Sequence, residues 1–245
     1  RIVAVSRVSI LLAFLFLWEF AANTGLIDSF IFSSPSGILK TLAVMSGDGS
    51  LFLHTKVTLY ETLVSFLLVI GISFLTATLL WIFPTVSEIL EPWLVVLNSL
   101  PKSALAPLLI VWLGSGSCTI IVAGMSVAVF GSIISMYTAF RETDSEKIKL
   151  IHTLGGGKRE ALCYVIFPSS LPSVISILKV NIGLCLVGVI IGEFLSAKAG
   201  LGYLITYASQ TFEMTKLMSA LIMLCLLSCV LYQAVGMLEK QFLKQ

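Results

Sequence analysis

Residues 145–172, SEKIKLIHTLGGGKREALCYVIFPSSLP (Ser145 to Pro172), decide how the chain is read. They form its longest polar island and carry Glu146, Lys147, Lys149, Lys158, Arg159 and Glu160. Three glycines, Gly155 to Gly157, break the island in the middle, and long hydrophobic runs flank it on both sides. Gly155 can take the positive φ needed to turn sharply between two short helices. In the first of these, Glu146, Lys149 and Thr153 make a polar face, and Ile148, Ile151 and Leu154 make an apolar ridge. An amphipathic helix of this kind suits recognition by a groove on another protein. Pro168 and Pro172 are expected to set the angle at which the island joins the next hydrophobic run. A water-exposed helix-turn-helix between membrane spans reads as a surface for a soluble partner; the plain alternative is a solvated loop with flexible glycines.

The composition around the island fixes the class. Hydrophobic residues make up 58% of the 245 and charged residues 11%, with a mean hydropathy of +1.04. Soluble domains carry about 25% charge and about 45–50% apolar residues, so this chain cannot cover its own surface in water. An all-α, polytopic membrane protein follows. Each helical span takes roughly 20 apolar residues, which leaves room for six, placed at about 5–22, 59–83, 89–113, 119–140, 172–195 and 217–238. A net charge of +2 is too small to point to nucleic acid. The five cysteines show no zinc-ligand spacing with histidine and read as small apolar residues.

The first run has a basic start, Arg1 and Arg7, as a cleaved leader does. It continues through Trp18 and Glu19 without a small-residue cleavage site, so a retained helix is expected. Turn formers then cluster between Asn23 and Thr58, enclosing a short amphipathic helix at 36–45. Span three contains Pro92, Pro101 and Pro107, with Asn98, Ser99 and Lys102 beside the middle one. Proline removes a backbone donor and clashes with the preceding turn, and in lipid the freed carbonyls need partners. This span is therefore expected to be kinked or broken and to face the protein interior.

Basic residues orient the spans. Nine lie on the side of the termini and the island: Arg1, Arg7, Arg141, Lys147, Lys149, Lys158, Arg159, Lys240 and Lys244. Four lie opposite: Lys40, Lys56, Lys198 and Lys216. The positive-inside rule puts both termini and the island in the cytoplasm. The connection 84–87 dissents, having no basic residue and leading into Glu88 and Glu91.

The motifs also carry a resemblance. Leu154-Gly155, nine residues, and Val165-Ile-Phe-Pro168 resemble the cytoplasmic loop of ABC importer permeases, in which a glycine is followed nine residues later by Ile-x-Leu-Pro. The likeness continues, in order, through Ser33-Ser-Pro-Ser36, Leu100-Pro-Lys-Ser-Ala-Leu-Ala-Pro107, Ser170-Leu-Pro172, Val189-Ile-Ile-Gly-Glu-Phe194 and Ala199-Gly-Leu-Gly-Tyr-Leu204. Together these resemble the nitrate/sulfonate/taurine branch of binding-protein-dependent permeases. The resemblance implies a single type I importer (MetI-like) transmembrane domain in a prokaryotic cell membrane, with 141–171 as the cytoplasmic coupling loop. It implies ATPase subunits docking on 145–168, with Glu146, Lys149, Ile151, Thr153, Leu154, Gly155, Lys158, Arg159 and Pro168 carrying the contact. It also implies a second permease copy, as a homodimer, and an external binding protein that delivers a small anion or a vitamin precursor. The chain would not itself be an enzyme and would hold no cofactor, ATP and Mg belonging to the partner. Three departures stand out. Lys149-Leu150-Ile151 replaces the family's Glu-Ala-Ala, Gly156-Gly157 replaces a usual small pair, and the loop after span two lacks its usual arginines.

Ionisable groups inside spans are costly and functionally suspect. Lys102, Lys179 and Glu193, with Asn98 and Ser99, are the candidates for a translocation pathway. Glu19 lies near the outer end of span one. An internal ion pair, or a lysine reaching for the interface, is the structural alternative. Two other functions compete with transport by an ABC system. An intramembrane hydrolase would need Gly114-Ser-Gly-Ser117 beside a histidine, yet His54 and His152 fall in separate loops. An ion-coupled secondary transporter would need inverted repeats with broken helices in both halves, and only span three is clearly broken. No Walker A pattern occurs, so any nucleotide belongs to a partner.

Overall fold

The computed structural model describes residues 2–242; Arg1 and Lys244, and the side chain of Lys240, lie outside what is described. By internal packing the chain divides into two compact units, Arg1–Thr58 with Lys198–Leu227, and Leu59–Ala197 with Ser228–Gln245. All regular structure among the described residues is helical. In chain order the helices are α1 (Ile2–Asn23), α2 (Ser29–Phe32), α3 (Pro35–Gly47), α4 (Ser50–Ile82), α5 (Pro84–Ser99), α6 (Lys102–Leu113), α7 (Ser117–Arg141), α8 (Ser145–Thr153), α9 (Lys158–Ala161), α10 (Phe167–Ser196), α11 (Leu201–Gln210) and α12 (Met214–Phe242).

Among the described residues, four unbroken stretches are long and apolar enough to cross a bilayer: Ser50–Ile82, Ser117–Arg141, Lys158–Ser196 and Met214–Met237. The pair α5 and α6, bent by 94°, makes a fifth. The sixth expected span corresponds to the shorter apolar helix Ser9–Asn23.

In the first unit, α3 is a helix where the sequence places a short one. Ser34 caps it by accepting from the Gly37 N–H at 3.1 Å, with Pro35 at its start. Glu19 reaches the same terminus, accepting from the Ser36 N–H at 2.9 Å and its hydroxyl at 2.7 Å. A carboxylate at a helix N-terminus complements the dipole, so this acid has a structural task. Met45, Leu204 and Ala220 form the unit's buried core.

The second unit is built on α4, α7 and α10, whose seam is lined by small residues. A Cβ added at Gly188 would sit 2.8 Å from Gly124 Cα and 2.9 Å from Ala123 O; one at Gly192 would sit 3.1 Å from Ile120 Cα. Helices in lipid lack a hydrophobic drive to associate and gain by letting backbones approach. Short polar side chains tie the same seam. Ser65 Oγ donates to Glu61 O at 2.8 Å and Ile121 O at 3.0 Å, and Asn181 donates to the Ser132 hydroxyl at 2.7 Å. Toward the polar island the seam gives way to a larger apolar core of Leu80, Met136, Phe140, Leu162 and Ile166. Phe74, Phe140 and Phe167 meet there, with ring centroids 5.0–6.0 Å apart.

Three expected boundaries are corrected. Residues 84–87, read as a loop, are the first turn of α5, because Pro84 is pre-set for a helix start where its missing N–H costs nothing. Only Phe83 separates α4 from α5, which leaves no loop to hold arginines. The helix that carries span five begins well before Pro172, since the helical path runs unbroken from Lys158 to Ser196. Within it, 162–166 is wound as a π-helix, with the Phe167 N–H donating to Leu162 O. That wider turn stands just ahead of Pro168, whose ring would otherwise press on the carbonyl four residues back. Pro168 and Pro172 therefore lie inside one continuous helix and set no corner.

Broken span three does not face the interior of its own chain. The break is where proline chemistry puts it, at Leu100–Pro101, with Leu100 extended at φ −63° and ψ 140°. Yet Trp93, Val96, Val111 and Trp112 are exposed, and α5 and α6 bury only Ser87 and Ala106. No protein interior is needed to satisfy the last carbonyls of α5. The Lys102 ammonium does so, donating to Asn98 O at 2.9 Å and closely to Leu97 O.

Candidate functional site

The polar island is a knuckle of two short helices. Asp144 caps α8, its carboxylate accepting from the Glu146 N–H at 2.9 Å, and Glu146 sits in the first turn where the dipole favours it. Gly155 takes φ +83°, a conformation that costs other residues about 1–2 kcal/mol. The reversal is closed by the Gly156 N–H donating to Ile151 O at 2.9 Å and by a 3.0 Å bond between His152 Nδ1 and Gly156 O. Gly156 has no room for a side chain, since a Cβ would stand 2.6 Å from Ile151 Cγ2. The Glu160 carboxylate accepts from the Gly157 N–H at 2.8 Å and so caps α9.

Two alanine scans separate these roles. At Gly155, where nothing lies within 4 Å of an added Cβ, alanine is expected to cost about 1–2 kcal/mol from backbone strain alone. At Gly156 it should cost about 1–3 kcal/mol from overpacking against Ile151. Shaving Ile151 to valine keeps the clashing Cγ2, so Ile151→Ala is the partner change that rescues Gly156→Ala and leaves Gly155→Ala unimproved. Thermal melting of the purified chain reads both.

The structure corrects which face α8 shows. Ile148 packs on the core of the second unit and Ile151 is half-buried against the glycine turn. The outward apolar residues are Leu150, 59% exposed, and Leu154, 76% exposed, with Tyr164 beyond the turn at 75%. Glu146, Lys149, Thr153 and Arg159 are exposed as expected. By helical spacing Glu146, Leu150, Thr153 and Leu154 share one stripe. Lys158, though exposed, is engaged by the bundle, donating to Ile82 O at 2.9 Å and so capping α4. The knuckle is thus pinned to α4 by Lys158 and to the aromatic core by Leu162, Ile166 and Phe167. From Lys158 it continues into α10 as one helical path to Ser196.

The pathway candidates fall in three places. Asn98, Ser99 and Lys102 gather at the α5–α6 break, with Asn98 3.2 Å from the position a Gly131 Cβ would take and Lys102 5.4 Å from the Phe130 ring centre. Lys179 forms a close ion pair with Glu239 on α12, the internal pairing named as the structural alternative. Glu193 lies 14 residues along α10, about 21 Å away, and is buried beside α4 and α7. Lys179 and Glu193 therefore do not work together.

The first unit holds features that composition and motifs do not predict. The Gly200 N–H donates to His54 Nδ1 at 3.0 Å and the Leu201 N–H to Thr58 Oγ1 at 2.8 Å, so two side chains one turn apart on α4 cap α11. His54, Tyr203 and Tyr207 stack at 5.9 and 6.0 Å, and Lys216 stands 5.5 Å over the last ring. They line an open cavity of about 670 Å³. The only signal in the sequence was the spacing His54/Thr58 and Tyr203/Tyr207, each i to i+4.

A helical membrane bundle with one broken span and a polar knuckle joined to a long helix fits a transport subunit, and among the described residues no nucleophile stands assembled with a base. His54 is engaged at α11 and His152 at the glycine turn. The chain belongs to the family of binding-protein-dependent transport system inner membrane components, matched over residues 69–244. It is 29% identical to a probable ABC transporter permease protein of Haemophilus influenzae, over 94% of this chain and 93% of that one. It is 24% identical to a putative aliphatic sulfonates transport permease of Bacillus subtilis, over 93% and 83%. Among solved structures it is similar to an inward-facing form of the MetNI methionine ABC transporter, with a TM-score of 0.65 and 20% identity, over 76% of this chain and 93% of that one. The chain is therefore a membrane component of a binding-protein-dependent transport system, in a family of transport components and not of enzymes. This excludes the hydrolase and the ion-coupled carrier.

Proposed function

We propose that two copies of this chain line a path for a small anion of the sulfonate class, and that partner ATPases holding ATP and Mg drive it through the α8–α9 knuckle. The knuckle and both termini face the cytoplasm, and a binding protein delivers the solute from outside. The observation that carries this reading is the α5–α6 break. Asn98 and Ser99 are exposed there beside half-buried Lys102, in a surface otherwise made of Trp93, Val96, Val111 and Trp112. An apolar surface with a polar notch fits a second copy that covers the rim and leaves the notch as a lining. Lys102 supplies a positive charge at that notch, and the sulfonate-type relative points to the same class of anion.

The test is uptake of a labelled alkanesulfonate into liposomes holding the permease, its ATPase and its binding protein. Accumulation should require ATP on the ATPase side. Lys102→Gln, which keeps a donor for the α5 carbonyls without the charge, should cut uptake about tenfold, the effect of one lost favourable charge contact of about 1.4 kcal/mol, with the melting temperature nearly held. A binding protein that delivers only neutral or cationic solutes would remove the anion reading. An equal fall in uptake and stability would reduce Lys102 to a helix cap.

A further inference from the structure

The open cavity of the first unit, about 670 Å³, takes no part in the solute path assigned to the α5–α6 notch. Its size suits a small molecule, for which pockets run about 300–1,000 Å³. Five rings line it, those of Phe30, His54, Tyr203, Tyr207 and Phe212. Three of them form one wall: the His54 and Tyr203 planes lie 26° apart, and those of Tyr203 and Tyr207 28° apart. A spacing of four residues puts both tyrosines on one face of α11. Phe212, 67% exposed, stands in the turn after α11 at φ +59°, a conformation bulky side chains rarely take. The Glu213 N–H closes that turn, donating to Ala208 O at 2.8 Å.

The charged groups of the lining are already satisfied. Lys216 Nζ lies 3.1 Å from Glu213 Oε2 and 5.5 Å from the Tyr207 ring centre. The other Glu213 oxygen accepts from the Thr211 hydroxyl at 3.1 Å. The Asp48 carboxylate accepts from the Ser50 N–H at 2.8 Å, at the start of α4, where the helix dipole favours a negative charge. No charge in this lining is left to call for a counter-charge. What remains is ring surface and a donor. His54 Nδ1 accepts from the Gly200 N–H and so carries a lone pair, which puts the ring's proton on Nε2. That Nε2–H is the one donor the ring has left.

We propose that this cavity binds an uncharged, planar aromatic or heteroaromatic solute that carries a hydrogen-bond acceptor. The flat ring packs on the wall of Tyr203 and Tyr207, and its carbonyl or ring nitrogen accepts from His54 Nε2. Aromatic pairs gain beyond the area they bury, so a flat ring is favoured over a puckered one of equal size. The site is separate from the Lys102 notch and stands whether or not the solute carried is a sulfonate.

Saturation-transfer NMR of the full chain in lipid nanodiscs, with empty nanodiscs as the baseline, tests the site. Benzamide is the probe, being flat, uncharged and equipped with a carbonyl. It should bind with a Kd on the order of 1 mM, which suits a fragment of its size. Cyclohexanecarboxamide has the same amide and as much apolar surface but no flat ring, and should bind about fivefold more weakly. Tyr203→Leu keeps an apolar wall and should weaken benzamide about fivefold. Phe52→Leu, at an exposed ring of α4 outside the cavity, should change nothing. His54→Asn keeps an acceptor in the place of Nδ1, and with it the cap on α11, but loses the Nε2–H. It should weaken benzamide by about five- to tenfold at an unchanged melting temperature. Benzoate and benzylammonium should bind more weakly than benzamide. Saturation no greater than in empty nanodiscs overturns the site. So does equal binding of cyclohexanecarboxamide, or an affinity untouched by both Tyr203→Leu and His54→Asn. A charged probe that binds best overturns the uncharged class of ligand.

Discussion

Leu150→Asp combined with Leu154→Asp abolishes ATP-driven uptake while the permease stays folded. Both side chains are mostly exposed, and α8 buries none of its residues. Surface changes away from caps and core usually stay within about 0.5 kcal/mol, so the melting temperature holds. At a docked interface the balance reverses. Burying a leucine is worth about 1.5–3 kcal/mol, and an aspartate forced into the same groove adds a desolvation cost. Losing two leucines weakens docking at least a hundredfold, at about 1.4 kcal/mol per factor of ten. Co-purification of the ATPase and uptake should fall together. Ile148→Asp is the contrasting change: it lies against the core of Leu162 and Ile166 and should lower the melting temperature before any partner is added. Full uptake from the double variant would move the docking surface off this stripe.

That contrast marks where the sequence stops being legible. The island, its glycine break and the broken third span follow from polarity, glycine and proline, whose effects are local. The side that α8 shows does not. In nine residues the apolar set splits into Ile148/Ile151 and Leu150/Leu154, and periodicity cannot say which pair meets a core made by residues far away in sequence, such as Leu80 and Phe140. Charges inside spans show the same limit. Lys102, Lys179 and Glu19 all look functional by composition, and each has a structural partner set by backbone geometry or by a distant helix. Glu61 escaped for another reason. Hydropathy starts span two at about residue 59, which leaves this acid at a rim, whereas α4 begins at Ser50 and carries it inside. The Gly188-x-x-x-Gly192 spacing was readable as a close-packing motif, but its partner, Gly124 on α7, was not, because no local rule links the two.

Gly188→Leu should be the most damaging single change in the second unit. Even a Cβ there meets backbone, Gly124 Cα at 2.8 Å and Ala123 O at 2.9 Å, and backbone cannot step aside as a side chain can. Gly188→Ala should already cost about 3 kcal/mol, the upper part of the range for overpacking a filled core; leucine should leave no folded protein to purify. Gly183 on the same helix has nothing within 4 Å of an added Cβ. Alanine at that site should be neutral or stabilise by up to about 1 kcal/mol through the unfolded chain and helix propensity. Gly124→Ala should fall between them, because its nearest contacts, Ser65 Oγ at 2.7 Å and Val189 Cγ2 at 2.9 Å, are side-chain atoms with some freedom. Melting temperatures in one detergent rank the three. If Gly188→Ala melts with the wild type, α7 and α10 are not in backbone contact, and the rigid path from the knuckle along α10 loses its support.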